Sequence, residues 1–110
     1  MAEIKRPTRI SMPQTAKRGD IVDIKTLIQH EMETGWRRDS QGKAVPRDII
    51  TRLQVTYASV EIFSADTFPG ISANPYIAFT TIATDTADLT FTWTDLTGST
   101  TTETRKLTVT

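Results

Sequence analysis

The chain has 110 residues, of which 37% are hydrophobic, and this predicts a single domain over residues 1–110 with a modest core. It contains no cysteine, which excludes a disulfide framework, a thiolate metal site and cysteine catalysis. No apolar run approaches the roughly 20 residues of a membrane span. No apolar segment follows the basic N-terminus either, so we expect neither a membrane span nor a signal peptide.

The formal net charge is zero, but the charges are unevenly distributed along the chain. Residues 1–55 contain eleven Lys and Arg against seven Asp and Glu, whereas residues 56–110 contain two against six. The two halves therefore carry +4 and −4. A basic stripe with interleaved aromatic residues is missing, which argues against nucleic-acid binding. The dipolar charge distribution instead permits the chain to orient on a charged partner protein.

Seven short segments have the alternation or the β-branched content of strands, and no segment has the period of a helix longer than one turn. The predicted strands are, in chain order, residues 8–12, 21–28, 49–57, 60–65, 76–83, 89–94 and 100–109. Ala58-Ser59 is a weak turn signal, since neither residue favours a positive φ. Two prolines fix the irregular segment at residues 67–75, Asp85 to Asp88 forms a turn, and residues 97–99 close the last hairpin.

This pattern predicts an all-β protein, an immunoglobulin-like antiparallel β-sandwich of about seven strands. In the third strand, Ile49, Leu53, Val55 and Tyr57 are expected on the core face. The residues expected to be buried across the sandwich are Ile24, Leu53, Val55, Phe79, Phe91 and Trp93, because each lies on the apolar face of an alternating strand.

One long segment, residues 30–47, lies between two predicted strands but lacks their alternation. Gly35, Gly42 and Pro46 interrupt any regular period. The segment holds the only histidine, one of the two tryptophans and four of the thirteen basic residues. Loops of this length inside a domain are usually functional or disordered, and a disordered linker is rarely so rich in large side chains. We therefore interpret it as a binding loop on a rigid β scaffold.

The basic residues of this loop, Arg37, Arg38, Lys43 and Arg47, have two interpretations. They are either ordinary solvated charge or a site for an anionic group or an acidic partner surface, because arginine forks suit oxyanions. In the second case Trp36 lies beside the bound segment.

Metal and catalytic chemistry are weakly indicated. His30-Glu31-Met32-Glu33-Thr34 has the first half of the zinc-protease pattern His-Glu-x-x-His, but Thr34 occupies the position of the second ligand. His30 and Met32 are residue types that suit copper, and they are equally compatible with packing or capping of the loop. Glu31 and Glu33 form an ordinary exposed carboxylate pair, and no nucleophile motif accompanies His30. We expect no catalytic residue and no cofactor.

Three groups of segments resemble the SoxZ family. The first comprises residues 25–35, 38–39, 42 and 45–47; the second comprises residues 63–66, 71–76 and 79; the third comprises residues 91–95. The Met-Glu-Thr-Gly and Ser-Ala-Asn-Pro-Tyr segments are the most specific. The chain departs from the family at Ala58-Ser59-Val60, where a tight Asn-Gly-like turn is common, and at Glu31, where proline is common.

The resemblance implies a non-catalytic subunit with an immunoglobulin-like fold that pairs with SoxY. SoxY carries sulfur intermediates of thiosulfate oxidation on a cysteine of its C-terminal arm, and the pair moves between periplasmic Sox enzymes. The resemblance also implies export to the periplasm in complex with that partner, without a signal peptide of the chain's own. No nucleic-acid or membrane partner is implied.

An alternative hypothesis is a free-standing periplasmic copper-binding sandwich that uses His30 and Met32. The candidate partner-binding residues are His30, Met32, Glu33, Trp36, Arg37, Arg38, Lys43, Arg47, Asn74 and Tyr76.

Overall fold

The computed structural model describes Glu3, residues 5–67 and residues 73–110, and this part of the chain is built from strands. The strands are β1 Thr8–Ser11, β2 Thr15–Ala16, β3 Ile21–Ile28, β4 Ile50–Tyr57, β5 Val60–Asp66, β6 Tyr76–Ile82, β7 Ala87–Asp95 and β8 Thr100–Val109. Seven of them coincide closely with predicted strands. The sequence does not predict β2, because two residues are too few to show an alternation. The predicted irregular segment at residues 67–75 lies partly, at Phe68 to Ser72, outside the described residues.

The strands form the two sheets of the predicted immunoglobulin-like sandwich. One sheet has the order β1-β3-β6 and the other has the order β2-β8-β7-β4-β5. The pairs are antiparallel except for the short contact of β2 with β8. Two of the edge strands, β5 and β6, are consecutive in the chain but belong to different sheets.

The inner faces of the two sheets enclose one apolar core. Burial alternates along β3 and β7 with the period of two that a sandwich strand requires. Phe91 and Trp93 are almost fully buried, and their rings stack with centroids 6.3 Å apart. The predicted burial is confirmed for Ile24, Leu53, Val55, Phe91 and Trp93. The core face predicted for residues 49–57, which contain β4, is confirmed as well.

Phe79 is half-buried, so the prediction that it lies in the closed core is wrong. It belongs to β6, which ends the three-stranded sheet, and one side of its ring therefore lacks a neighbouring strand. The ring stacks nearly parallel on Phe63 of β5, with centroids 4.2 Å apart. This pair joins the two sheets at their open side.

The turn at Ala58-Ser59 forms in spite of its sequence. Both residues adopt positive φ, 51° and 67°, as a two-residue hairpin between β4 and β5 requires. The predicted turn at Asp85 to Asp88 is shorter than expected, because β7 already begins at Ala87.

A buried carboxylate organises the hairpin between β7 and β8. Asp95 Oδ1 accepts hydrogen bonds from the Thr97 N–H and hydroxyl and from the Ser99 N–H, and Oδ2 pairs with Arg6 at 2.9 Å. Burial alone would raise the pKa of Asp95, but the hydrogen bonds from Thr97, Arg6 and Ser99 outweigh it and lower the pKa. The ionised carboxylate therefore holds the N-terminal segment against this turn.

The part of the chain that the structure describes contains no apolar helix of membrane-spanning length.

Candidate functional site

The candidate site begins at His30, which follows β3 and is about 95% buried, with 5% exposed. The His30 N–H donates to Asn74 Oδ1 at 2.9 Å, and the His30 carbonyl accepts from the Asn74 N–H at 2.6 Å. Asn74 lies in the left-handed region, with φ of 54°, a conformation that Asn tolerates better than most residues. This reciprocal pair fixes the chain before β6 to the end of β3.

The imidazole ring of His30 is held in one tautomer. The Met32 N–H donates to Nδ1 at 2.9 Å, so Nδ1 is the acceptor and the proton of the neutral ring lies on Nε2. Nε2 then donates to Asp48 Oδ1 at 3.2 Å. Asp48 lies just before β4, and the ring therefore connects the two ends of the long loop.

Met32 is buried beside the ring and adopts a positive φ of 56°, which is uncommon for a residue with a side chain. Its sulfur accepts a hydrogen bond from the Ile50 N–H at 3.2 Å. Glu33 and Asp48 next form a two-hydrogen-bond antiparallel bridge, with N–O distances of 2.7 and 2.8 Å. We call His30, Met32, Asp48 and Asn74 the His30 node.

The copper hypothesis for His30 and Met32 has no support in this geometry. Both ring nitrogens and the sulfur are already engaged in hydrogen bonds inside the protein. Within the described ranges, no three His, Asp or Glu side chains are grouped so that they could hold a metal ion. The hydrogen bonds of His30 connect the end of β3 to Asn74, Met32 and Asp48.

The loop beyond the node contains no strand, as its sequence predicts, but an isolated bridge and turn hydrogen bonds give it the shape of a hairpin. Arg38 and Ala44 form a bridge, and Asp39 Oδ1 accepts hydrogen bonds from the N–H groups of Gln41 and Lys43. A side-chain carboxylate thus shapes the turn at the tip, as Asp commonly does. We call residues 35–47 the arginine hairpin.

The base of the arginine hairpin is closed by a tight contact. Gly35 has a φ of +91°, and a Cβ at this position would lie 3.2 Å from Arg47 Cβ. Arg47 Nε donates to the Thr34 carbonyl at 2.9 Å. A glycine at position 35 is therefore required both by the backbone conformation and by the approach of the returning chain.

The four cations predicted to bind a partner have different roles within the hairpin. Arg37 forms hydrogen bonds with both oxygens of Glu33, the shortest at 2.6 Å, and these bonds lower the pKa of the Glu33 carboxyl. Arg38 donates to the Gly42 carbonyl at 3.0 Å. The Lys43 side chain has no hydrogen bond or ion pair with any described residue. Trp36 is 82% exposed, beside these charges.

The predicted site residues therefore fall into two groups and one outlier. His30, Met32 and Asn74 meet in the His30 node, whereas Glu33, Trp36 and the four cations belong to the arginine hairpin or its base. Tyr76 is 58% exposed on the outer face of β6, opposite Leu27. Beside the node lies an open cleft of about 650 Å³, whose lining includes Arg6, Gln29 and Glu31.

Asp48 is the residue that sequence reasoning missed. It completes the His30 node from a position 18 residues away along the chain, and no local pattern marks it. Only the pairing of Glu33 with Asp48 brings its carboxylate to the ring.

Comparison with protein families matches residues 9–106 to the family described as sulphur oxidation protein SoxZ. The chain belongs to the SoxZ family. The match spans nearly the whole chain and confirms the resemblance. It links the protein to sulfur oxidation. No curated protein matches the chain.

Two solved structures illustrate the fold of this SoxZ family member. The sulfur carrier protein SoxY from Chlorobium limicola f thiosulfatophilum is 16% identical, with a TM-score of 0.67 over 94% of this chain and 78% of that one. The superoxide reductase neelaredoxin from Ignicoccus hospitalis is 13% identical, with a TM-score of 0.69 over 94% and 80%. At these identities the likenesses establish the fold only.

Proposed function

We propose that the chain is the non-catalytic subunit of a sulfur-carrier complex. It pairs with a SoxY-like subunit, whose arm cysteine carries sulfur intermediates between Sox enzymes during thiosulfate oxidation. The family match over residues 9–106 carries this proposal. The chain itself has no thiol, so the covalent attachment point has to be supplied by the partner.

In this complex the arginine hairpin is the surface that receives the partner's arm or docks acidic Sox enzymes. The support is the exposure of Trp36, 82%, on a hairpin that is already ordered in the free chain. Exposed tryptophan next to arginine is the composition of binding hot spots, and a preformed surface avoids the entropy cost of ordering. The exposed side chains of Lys43 and Arg38 supply positive charge for an acidic partner.

The proposal of a carrier subunit is tested by co-expression with a SoxY-like subunit. We expect the two chains to elute together in gel filtration at micromolar concentration. After incubation with thiosulfate and the Sox enzymes, intact-mass measurement should show sulfur adducts on the partner alone. Separate elution of the two chains, or an adduct on this chain, would refute the proposal.

The role of the arginine hairpin is tested by charge reversal at positions that do not close its base. Arg38→Glu combined with Lys43→Glu should slow turnover of the complex by Sox enzymes at low salt. The difference should shrink at high salt, because exposed charges are screened beyond about 8–10 Å at physiological ionic strength. Arg47 is left unchanged because it holds the Thr34 carbonyl.

The matched control is Lys17→Glu combined with Lys106→Glu, which changes net charge equally at the β2–β8 corner. We expect this control to leave turnover unchanged. Equal effects of the two pairs would show that only net charge matters, and unchanged turnover in the hairpin variant would make its cations ordinary solvated surface.

We also propose a periplasmic location, reached by export together with the partner. Cell fractionation with and without the SoxY-like subunit tests this. We expect periplasmic protein only when the partner is present, and export of the chain alone would contradict the proposal.

A further inference from the structure

The strands at the edges of the two sheets differ in how they are protected against pairing with another chain. Exposed edges template strand addition, and proteins usually block them with charges, prolines, bulges or short strands. β1 has four residues, follows Pro7 and carries Arg9, and β2 has only two residues. β8 is covered at its ends by Glu3 and β2, and its middle carries Glu103, Arg105 and Lys106.

The β5 edge is protected as well. Its register against β4 shifts between Val55 and Thr56, so that Ile62 is an extra residue and the strand is bulged. It also carries the carboxylates of Glu61 and Asp66, each about 3.8 Å from the Arg52 guanidinium on β4. A bulged, charged strand is a poor template for strand addition.

β6 is the exception among the edges that the structure describes. Its seven residues, Tyr76–Ile82, include no charged residue, no proline and no glycine. It pairs with β3 over seven consecutive positions without a register shift, and on its other side it pairs with no strand of the described residues. This combination of length, regularity and neutrality is what a partner strand requires.

An apolar opening lies directly beside the free edge of β6. This side cleft, about 450 Å³, runs between β5 and β6 and is lined by Tyr57, Ala58, Val60, Ile62, Thr81 and Ile82, with Thr84 and Asp85 at its end. Val60 is 64% exposed, and Ile62, Phe79 and Thr81 on the inner side are only partly buried. Ile82, 49% exposed, borders the cleft from the outer face of β6. The core is incomplete on this side.

We infer that an edge strand of the SoxY-like subunit adds to β6 and extends the three-stranded sheet across the interface. A strand placed there directs alternate side chains into the side cleft, and apolar residues at those positions complete the core over Ile62 and Phe79. SoxY has the same fold as this chain, so it too has edge strands. An edge strand of SoxY can therefore pair with an edge strand of this chain. The inference rests on the proposed function and names the edge that the carrier complex uses.

The test uses the co-expressed complex and a single charge directed into the side cleft. Thr81→Lys places an ammonium group at a half-buried position on the inner face of β6. An inward-pointing charge of this kind is one way in which natural edge strands prevent pairing with another strand. We expect the dissociation constant for the SoxY-like subunit to rise at least about tenfold, because strand addition would enclose this charge among apolar groups. Val60→Lys, on the exposed rim, should weaken binding in the same direction without threatening the fold.

The matched control is Thr104→Lys on the exposed face of β8, which should bind normally. Hydrogen exchange supplies an independent readout, and we expect the β6 amides to gain protection in the complex while the β8 amides do not. Melting temperatures of all variants separate loss of binding from loss of folding.

The outcomes separate this inference from the proposed function. A wild-type chain that binds no SoxY-like subunit refutes the carrier proposal itself. Binding that survives both side-cleft variants, or protection confined to β8 or β1, leaves the carrier function intact and refutes β6 as the interface. Self-association of the chain through β6 that excludes the SoxY-like subunit would also overturn the inference.

Discussion

Replacing His30 tests whether the only histidine of the chain is structural or a ligand. In His30→Ala the buried Met32 N–H loses its acceptor, which costs about 1–3 kcal/mol. The space left by the ring adds about 1 kcal/mol. The lost hydrogen bond to Asp48 adds little, because that carboxylate is 53% exposed and water can replace the ring as its partner. We therefore expect the free energy of unfolding to fall by about 3 kcal/mol.

For a chain of 110 residues this loss corresponds to a drop in melting temperature of about 12 °C. His30→Asn is the matched variant, since its side-chain oxygen takes the place of Nδ1 and keeps the hydrogen bond from Met32. We expect it to cost about 1–1.5 kcal/mol. Urea unfolding, followed by the fluorescence of the buried Trp93, measures both values.

Two results would contradict this reasoning. Equal losses in His30→Ala and His30→Asn would show that the hydrogen bond from Met32 does not determine the effect. A copper-dependent rise in the melting temperature of the wild type that His30→Ala abolishes would show that the ring binds metal, since a ligand of the native state stabilises it by mass action.

Three other variants test the fold around the site. Asp95→Asn should lower the free energy of unfolding by about 2 kcal/mol at pH 7. Because the pKa of Asp95 is lowered in the folded state, the difference in unfolding free energy should have its full size above about pH 4 and should shrink as the pH falls through the folded pKa. Urea unfolding at a series of pH values measures this. Phe91→Ala should cost about 3–5 kcal/mol, and a smaller loss in chemical denaturation would contradict its place in the core. Ala58→Asn with Ser59→Gly should raise the melting temperature by about 4–8 °C, since the left-handed conformation costs a residue with a side chain about 1–2 kcal/mol, which Gly avoids and Asn reduces. An unchanged value would show that this turn is unstrained.

The sequence predicts the strands well because burial on one face imposes a period of two that survives in the sequence. Phe91 and Trp93 show this, since both lie where the alternation places them. Phe79 departs from this prediction, because alternation identifies the inner face of a strand but not the position of the strand in the sheet. The inner residues of an edge strand such as β6 stay partly exposed.

The candidate site is predicted only in part for a related reason. The composition of the loop indicates a special segment, and His30, Met32 and Asn74 do meet there. The partner of the His30 ring, Asp48, is brought in by pairing between distant parts of the chain, which leaves no local signature. The sequence does not predict the hydrogen bonds of Asp39 or the bridge of Arg38 with Ala44, because these contacts do not depend on an apolar alternation.

The two proposed surfaces lie toward opposite ends of β3, which has a consequence for the proposed carrier complex. Ile21 at the start of β3 pairs with Ile82 at the side cleft, whereas the His30 node and the arginine hairpin follow Ile28 at its end. Eight residues of strand separate them by roughly 25 Å. In the proposed complex, one surface can therefore hold the carrier subunit while the other remains open to its arm or to an enzyme. Because sites so far apart usually act additively, Thr81→Lys should change affinity for the partner, and charge reversal in the hairpin should change turnover, each without altering the effect of the other.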